Sequence, residues 1–267
     1  MIKLIASDMD GTLLNDSKQI PADFLDVVDE LEKRGIFFAV SSGRTYLALD
    51  HLFPEEYRSR IDFICDNGAC VMHKGKPVSV TPLDRETYEE LLDACEKIGG
   101  LKILVCAESG TYHKKDTGTF TAEIQKYYRR HIETDDFLSI HETIYKLAVC
   151  DMQGTMNRGK PELDKIFGDR LNVQVSGPIW MDVMASGVSK GKALMSLQQA
   201  IGVTREETMA FGDYFNDVEM LKAAEWSFCM ENGHEDVKKL CRFIAPSNND
   251  CGVTKSIRKY VFGEDIS

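Results

Sequence analysis

The chain has 267 residues, of which 43% are hydrophobic and 28% are charged, with 20 glycines and 7 prolines. This composition excludes an intrinsically disordered or collagen-like chain, and the length suits one large α/β unit or two domains with a sizeable core. Acidic residues outnumber basic residues by 43 to 32, which gives a formal net charge of -11. Because non-specific binding of nucleic acid needs a surplus of lysine and arginine, we expect no nucleic-acid partner.

The cysteines and the N-terminal segment indicate the compartment. The eight cysteines are scattered without a C-x-x-C pair, and several lie in apolar runs such as Phe228-Cys229-Met230, which is typical of reduced core thiols in a cytosolic protein. The residues before Asp8 are apolar for too short a stretch to form a signal peptide, and no apolar run approaches the ~20 residues of a membrane helix. We therefore predict a cytoplasmic protein with no membrane partner, whose oligomeric state stays open.

The first third of the chain alternates predicted strands and helices. Short apolar runs predict buried strands, apolar residues at helical spacing predict helices, and glycine, proline and asparagine mark the turns. The predicted elements are a strand at 2–7, a helix from Pro21 to Gly35, a strand at 36–40, a short helix at 45–53, a strand at 61–65 and, after the turn Asn67-Gly68, a hairpin across 69–80.

The middle of the chain shows a different pattern, and the last third repeats the alternation. For the middle we predict a helix with an apolar stripe from Tyr88 to Ile98, strands at 101–106 and 144–151, helices at 119–130 and 161–168, and two strands at 171–176 and 179–185. For the last third we predict helices at 190–201, 216–223, 235–241 and 253–261, and strands at 208–211, 226–230 and 243–245.

These patterns predict the fold class. Strands that alternate with helices are typical of βαβ units and a mainly parallel sheet, whereas helices next to hairpins are typical of an α+β unit. The predicted fold is therefore α/β, with a doubly wound, mainly parallel-sheet, Rossmann-like core formed by 1–82 and 186–267 and an α+β domain inserted at 83–185. An insert of roughly a hundred residues has an ordinary domain size.

The sharpest local signal is Asp8-Met9-Asp10-Gly11-Thr12, directly after a predicted buried strand. Carboxylates two residues apart point the same way from a strand, and two like charges so close repel each other. A divalent cation would compensate the pair, and Gly11 would let the backbone turn sharply and approach a ligand closely. Taken alone, the segment is also compatible with an ordinary polar loop.

Three further polar segments follow predicted strands or begin a helix, and they are Ser41-Ser42-Gly43-Arg44, Ser189-Lys190-Gly191-Lys192 and Gly212-Asp213-Tyr214-Phe215-Asn216-Asp217. A hydroxyl and a glycine amide near a helix start can bind an anion, and a lysine can bind a phosphoryl group. Singly, each segment also fits a helix cap, a solvated lysine pair or a loop. Together they predict one crevice at the carboxyl ends of the strands, equipped for Mg²⁺-assisted phosphoryl transfer.

In this order, the four segments resemble the four motifs of the haloacid dehalogenase-like phosphatases: D-x-D-G-T at 8–12, the hydroxyl of Ser42 before Gly43-Arg44, S-K-G-K at 189–192 and G-D-x-x-N-D at 212–217. The long insert between the second and third motifs resembles the cap domain of the Cof-type subgroup, which sets substrate specificity. The resemblance covers nearly the whole chain. Its departures are small: Ser42 stands where threonine is commoner, and Tyr214 and Phe215 are bulkier than usual.

The resemblance implies a role for each matching residue. Asp8 would be the nucleophile that forms an aspartyl-phosphate, and Asp10 would be the general acid and then the general base. Mg²⁺ would be held by Asp8, the main-chain carbonyl of Asp10, and Asp213. The residues implied to bind the phosphoryl group are Met9, Ser42, Gly43, Lys190 and Asn216, and those implied to support the site are Gly11, Thr12, Arg44 and Asp217.

The predicted function is that of a Mg²⁺-dependent phosphatase that hydrolyses small phosphorylated metabolites, with sugar phosphates as the expected class. One alternative is a phosphomutase or phosphotransferase of the same family, in which the phosphoryl group passes to a second hydroxyl. Another is a non-enzymatic phospho-accepting signalling module, which also gathers carboxylates and a lysine at strand ends but needs no large insert. An inactive binding protein on the same scaffold is disfavoured because all four motifs keep their reactive groups.

Overall fold

The computed structural model describes residues 1–115, 120, 124, 125, 128 and 130–265. The chain divides into two compact units, a first unit of Met1–Ser42, Phe53–Ser79 and Ser189–Ser267 and a second unit of Gly43–Leu52 and Val80–Val188. The predicted α/β fold class is confirmed. Residues 43–52, which the sequence analysis assigned to the core, group with the second unit.

Strands and helices alternate along most of the described chain. The strands are β1 Leu4–Asp8, β2 Phe37–Ser41, β3 Ile61–Cys65, β4 Cys70–His73, β5 Lys76–Val80, β6 Lys102–Ala107, β7 Gly110–His113, β8 His131–Glu133, β9 Ile144–Cys150, β10 Leu171–Val175, β11 Trp180–Ala185, β12 Thr208–Gly212, β13 Trp226–Met230 and β14 Phe243–Ala245. The α-helices are α1 Phe24–Lys33, α2 Tyr46–Asp50, α3 Arg85–Ile98, α4 Gly159–Phe167, α5 Lys190–Ile201, α6 Val218–Lys222, α7 Glu235–Lys238 and α8 Gly252–Ile257.

The first unit is built on a sheet whose strand order is β14-β13-β12-β1-β2-β3-β4-β5. The six strands from β14 to β3 are mutually parallel, and β4 is antiparallel to β3. Every residue of β1 is buried, as expected for a parallel strand covered on both faces. Phe24 of α1 packs on Phe38, with ring centroids 5.1 Å apart, whereas Leu194 of α5 packs in the cluster that contains Leu4 and Ala6.

The register of β1 explains why polar side chains meet at one edge of this sheet. Asp8 at the end of β1 pairs with Ser41 at the end of β2, and Ser7 pairs with Phe211 near the end of β12. The chain proceeds from β1 to β2 on one side and places β12 on the other. In doubly wound sheets, ligands bind at the carboxyl ends of the strands where the order reverses in this way, so Asp8 lies at the expected position.

The second unit contains a sheet with the strand order β10-β11-β9-β6-β7-β8, in which β7 and β8 are parallel and the other neighbours are antiparallel. Its two faces carry different side chains. Leu147 and Val149 point to the face that packs against α3 and α4, where they share an apolar cluster with Leu91 and Leu163. Because side chains alternate along a strand, Lys146, Ala148 and Cys150 point to the opposite face.

The helix at 190–201 and the strands at 61–65, 226–230 and 243–245 have the bounds that the sequence predicted, and most other predicted elements are present with ends shifted by one to a few residues. The short strands β7 and β8 were not predicted because they carry polar residues and lack an apolar run. The predicted helix at 119–130 falls mostly outside the described residues. All eight cysteines are free thiols. Within the part of the chain that the structure describes, no helix is long and apolar enough to cross a membrane.

Candidate active site

Asp8 is the last residue of β1, and the loop after it folds back tightly on the strand end. The amide of Leu13 donates to the carbonyl of Asp8 at 3.2 Å, and the amide of Leu14 donates to the carbonyl of Met9 at 2.8 Å. The side chain of Met9 is fully buried, so only its main chain can take part in the predicted phosphate binding. The loop therefore holds the carboxylate of Asp8 at the end of the sheet.

A glycine is required at position 11 because the carboxylate of Asp213 lies very close to the backbone there. Its φ is +86°, and a Cβ atom at this position would lie 2.4 Å from Oδ2 of Asp213. Two asparagines fix the loop from outside: Asn232 Nδ2 donates to the carbonyl of Gly11 at 2.7 Å, and the amide of Asn248 donates to Asn232 Oδ1 at 2.9 Å. Neither asparagine is predicted from the sequence, because the residues around them indicate only turns.

Lys190 joins two carboxylates inside the first unit. Ser189 caps α5 by accepting from the amide of Lys192 at 3.2 Å, which places Lys190 at the first helical position. Nζ of Lys190 lies 2.5 Å from Asp8 Oδ1 and 2.7 Å from Asp217 Oδ1, and only 1% of its side chain is exposed. Such charge-assisted hydrogen bonds away from water are strong and directional. The predicted meeting of Lys190 with Asp8 is thus observed.

Asp217 uses both of its oxygens inside the protein. Oδ1 accepts from Lys190, and Oδ2 accepts from the amides of Asp213 at 3.0 Å and Tyr214 at 3.3 Å. A Cβ atom at Gly212 would lie 2.5 Å from Cβ of Asp217, so glycine is needed where this loop closes. Asp217 therefore orients Lys190 and shapes the loop that carries Asp213.

The carboxylates of Asp8, Asp213 and Asp217 form a cluster that could hold a metal ion, with one oxygen from each lying within 4.8 Å of the others. Asp8 Oδ2 is buried and has no hydrogen-bond partner among the described residues. Both oxygens of Asp217 already accept hydrogen bonds, so Asp8 and Asp213 are the better candidates to bind a cation through their side chains. A hard divalent cation fits this all-oxygen donor set.

The electrostatics of the cluster also favour a cation. Burial raises the pKa of Asp8 to about 8, although the ammonium of Lys190 opposes the rise, and Asp217 and Asp213 add to it. Burial, followed by the charge of Asp217, raises the pKa of Asp213 to about 6. Three carboxylates thus face one lysine, and the surplus of negative charge is what a bound cation would offset.

Asp10 lies apart from the buried cluster. Its carboxylate is 39% exposed and accepts from Lys18 Nζ at 2.9 Å. Among the described residues, its side chain is not one of the carboxylates of the possible metal-binding cluster.

The remaining predicted residues of the first unit lie on loops at the strand ends. Ser42 is buried, and its amide donates to the carbonyl of Ile64 at 2.9 Å. The hydroxyl of Thr12 is buried and has no hydrogen-bond partner among the described residues. The side chain of Asn216 is half-buried and makes no hydrogen bond within the described chain.

Gly43 and Arg44 belong to the second unit. The carbonyl of Gly43 accepts a hydrogen bond of 2.6 Å from Lys146 Nζ. The helix start that was expected to help bind an anion is that of α2, a helix of only 5 residues in which Thr45 accepts from the amide of Ala48 at 3.3 Å. A helix this short contributes little dipole, so Thr45 serves as a helix cap.

Comparison with known proteins identifies the family. A family model described as haloacid dehalogenase-like hydrolase matches residues 5–257. The chain is 31% identical over 260 residues to the 5-amino-6-(5-phospho-D-ribitylamino)uracil phosphatase YbjI of Escherichia coli, covering 97% of this chain and 96% of that protein. It is 27% identical over 250 residues to the HMP-PP phosphatase of Klebsiella pneumoniae, covering 89% of this chain and 87% of that protein.

A solved structure has the same fold. SMU.1108c from Streptococcus mutans superposes with a TM-score of 0.87 at 28% identity, over 98% of this chain and 100% of that chain. The chain belongs to the haloacid dehalogenase-like hydrolases, as its four motifs indicated, and its relatives support a phosphatase activity. The predicted resemblance is therefore confirmed.

Proposed function

We propose that this protein is a Mg²⁺-dependent phosphatase that hydrolyses small phosphorylated metabolites through a phosphoryl group carried on Asp8. The main support for the proposal is the environment of the two carboxylate oxygens of Asp8. One oxygen is held by Lys190 at 2.5 Å, and the other is buried without a hydrogen-bond partner among the described residues. A carboxylate that is desolvated, oriented and incompletely satisfied has the properties of a nucleophile in phosphoryl transfer.

The residues that would hold Mg²⁺ are Asp8 and Asp213, with the main-chain carbonyl of Asp10 as a third group implied by the family resemblance. When bound, the cation would lower the pKa of both carboxylates and neutralise negative charge on the phosphoryl oxygens. Lys190 would contribute the second positive charge, and Asp217 would keep its ammonium aimed at Asp8.

Asp8 and Asp10 have different roles in the two half-reactions. An oxygen of Asp8 forms a bond to phosphorus while the ester P–O bond breaks, and Asp10 donates its proton to the departing oxygen. Asp10 then takes a proton from the water that attacks phosphorus, which releases inorganic phosphate and restores Asp8. The partly exposed position of Asp10 supports this role, because its carboxyl group must exchange protons with the leaving group and with water.

The substrate class follows from the relatives and from the domain organisation. The curated relatives named above carry names of phosphatases for small phosphorylated molecules, and we extend this class, with sugar phosphates as the expected members, to the present chain. We further propose that the second unit, whose segment Val80–Val188 spans the predicted cap at 83–185, selects the leaving group. Mg²⁺, Lys190 and main-chain amides would attract the phosphate locally in spite of the net charge of -11.

The test is hydrolysis of an aryl phosphate by Asp8→Asn in excess Mg²⁺. The substitution keeps the size of the side chain but removes the nucleophilic charge, so we expect turnover to fall by at least about a thousandfold while the protein stays folded. The matched control is Asp26→Asn, which changes an exposed carboxylate on α1 and should keep wild-type turnover. Wild-type turnover in Asp8→Asn would exclude Asp8 as the nucleophile.

A further inference from the structure

The turn between β3 and β4 lies inside the first unit and not at its surface. It begins at Asp66, and both Asp66 and Asn67 are buried. Turns usually lie at the surface, where water satisfies their polar groups. The dipeptide Asn67-Gly68, which the sequence indicates only as a turn before a hairpin, therefore has surroundings that a simple chain reversal does not need.

The backbone of this turn is also strained. Three consecutive residues have a positive φ, which is +50° at Asp66, +55° at Asn67 and +106° at Gly68. Glycine adopts such values readily, whereas a residue with a Cβ atom does so at a cost in free energy. Strained conformations of this kind persist where the surrounding structure imposes them, and they are concentrated at functional sites. The contacts of the turn indicate its function.

One contact of the turn is with the residue that follows β2. The amide of Asn67 donates to the carbonyl of Ser42 at 3.0 Å, and the amide of Ser42 donates to the carbonyl of Ile64 on β3 at 2.9 Å. Both main-chain polar groups of Ser42 are thus bonded to β3 and to the turn after it. These bonds fix the direction in which the side chain of Ser42 leaves the backbone. Its hydroxyl is the group that the family resemblance assigns to phosphate binding.

The other contact of the turn is with the start of α5. A Cβ atom at Gly68 would lie 2.4 Å from the carbonyl oxygen of Ser189 and 3.0 Å from Cβ of Ala193. The turn therefore packs directly on the N-cap residue of α5 and on the first turn of that helix. Lys190 follows Ser189, and its ammonium contacts Asp8 from this position. A side chain at position 68 would displace the helix start that carries this lysine.

We propose that the turn Asp66–Gly68 is a positioning element for phosphate binding, which fixes Ser42 through one contact and the start of α5, with Lys190, through the other. All of these residues belong to the first unit. The inference rests on the proposed function, because it assumes that Ser42 and Lys190 bind the phosphoryl group. Since the turn acts through these two residues, a change in it should weaken phosphate binding without raising the Mg²⁺ requirement.

The first test is Gly68→Ala, measured as competitive inhibition of aryl phosphate hydrolysis by inorganic phosphate. The new Cβ atom must displace the start of α5 or the turn itself. We expect the inhibition constant of phosphate and KM to rise about tenfold or more, whereas the Mg²⁺ concentration for half-maximal activity should not rise. A general loss of stability would lower the amount of active enzyme and leave both constants unchanged. Unchanged constants in the folded variant would overturn the proposal.

The matched control is Gly75→Ala, in the turn between β4 and β5. Gly75 has a φ of +73° and belongs to the same unit, but a Cβ atom there would meet nothing within 4 Å. The control therefore adds backbone strain without a new contact, so the unfolding temperature should fall while the two constants keep their wild-type values. An equal rise of the phosphate constant in Gly75→Ala and Gly68→Ala would trace the effect to strain alone and would contradict the proposed role.

Asn67 provides a second test, which does not depend on a crowded contact. Asn67→Gly and Asn67→Val both remove the side-chain amide, but glycine accepts a positive φ whereas a β-branched residue strongly disfavours it. If the backbone conformation of the turn positions Ser42, the inhibition constant of phosphate should be about tenfold or more higher in Asn67→Val than in Asn67→Gly. Equal constants in the two variants would assign any effect to the side chain and would overturn the proposal.

The outcome for the wild type distinguishes the two proposals. A wild-type protein that neither hydrolyses phosphate esters nor is inhibited by phosphate contradicts the proposed function. Normal wild-type kinetics, together with unchanged phosphate constants in Gly68→Ala and Asn67→Val, contradict only the role of the turn.

Discussion

Lys190 and Asp8, which are 182 positions apart in the chain, meet at 2.5 Å with 1% and 8% of their side chains exposed. Burial alone would favour the protonated form of Asp8, and the ammonium of Lys190 acts against it by lowering the pKa of that carboxyl. Burial also disfavours the charged lysine, but Asp217 and Asp8 together raise the pKa of Lys190 above its ordinary value. Each charge is therefore maintained by the others, and removal of one affects all three.

Lys190→Met tests this interdependence. The variant leaves the carboxylates of Asp8 and Asp217 buried without their shared cation, so we expect a loss of about 3–5 kcal/mol in the free energy of unfolding. Turnover should fall by at least about a hundredfold. Chemical denaturation and steady-state kinetics in excess Mg²⁺ measure the two effects.

The control for this prediction is Lys192→Met. Lys192 lies two positions further along α5 and is exposed, so its removal should change neither the free energy of unfolding nor turnover appreciably. A Lys190→Met variant that resembles Lys192→Met in both measurements would contradict the role given to the buried lysine.

Gly11→Ala is expected to damage metal binding more than folding. A Cβ atom at Gly11 would lie 2.4 Å from Asp213 Oδ2, so the carboxylate of Asp213 must move from its present position. We expect the Mg²⁺ concentration for half-maximal activity to rise about tenfold or more, as for other losses of ligand geometry.

A second glycine provides the comparison for backbone strain. Gly35 has a φ of +69°, close to the left-handed conformation of Gly11, but a Cβ atom there meets nothing within 4 Å. Gly35→Ala should therefore lower the free energy of unfolding by only about 1–2 kcal/mol, because of backbone strain, and should leave the Mg²⁺ requirement unchanged. Equal Mg²⁺ requirements in the two variants would indicate that Asp213 is not displaced.

The proximity of Lys190 to Asp8 could be predicted from the sequence, whereas the contact of Asn232 with Gly11 and the burial of Lys146 could not. Apolar strands followed at once by polar motifs indicate a parallel sheet, and its geometry brings the strand ends together. Asn232 contacts Gly11 through a loop conformation that composition does not encode. Lys146 lies in an alternating strand pattern in which a lysine normally faces water, and only the packing of the second unit shows that it is buried.

The stability gained from Mg²⁺ should increase with pH. Without a cation, the pKa of Asp8 is raised from 3.8 to about 8 and that of Asp213 from 3.8 to about 6. Between about pH 4 and about pH 8, the folded state therefore binds more protons than the unfolded state. Their contribution to stability is fully present below about pH 4 and is lost as the pH rises through about 6 and then about 8. Mg²⁺ competes with those protons, so it should raise the unfolding temperature more at about pH 8 than at about pH 5.

Thermal unfolding with and without Mg²⁺ at the two pH values measures this effect. Asp213→Asn removes one of the two carboxylates proposed to bind Mg²⁺. It should therefore reduce the increase in unfolding temperature that Mg²⁺ causes at both pH values. An increase in unfolding temperature that is the same at both pH values in the wild type would contradict proton competition at these carboxylates.

Asn216 offers a test of phosphate binding that is separate from stability. Its side-chain amide makes no hydrogen bond within the described chain, and it is only half-buried, so Asn216→Ala should leave the unfolding temperature unchanged. If the amide binds a phosphoryl oxygen, its loss should raise KM about tenfold or more, since hydrogen bonds to charged groups contribute ~1.5–3 kcal/mol. Asn216→Asp should be worse than Asn216→Ala, because a carboxylate repels the phosphate dianion. The reverse order of KM values would place Asn216 outside the phosphate site.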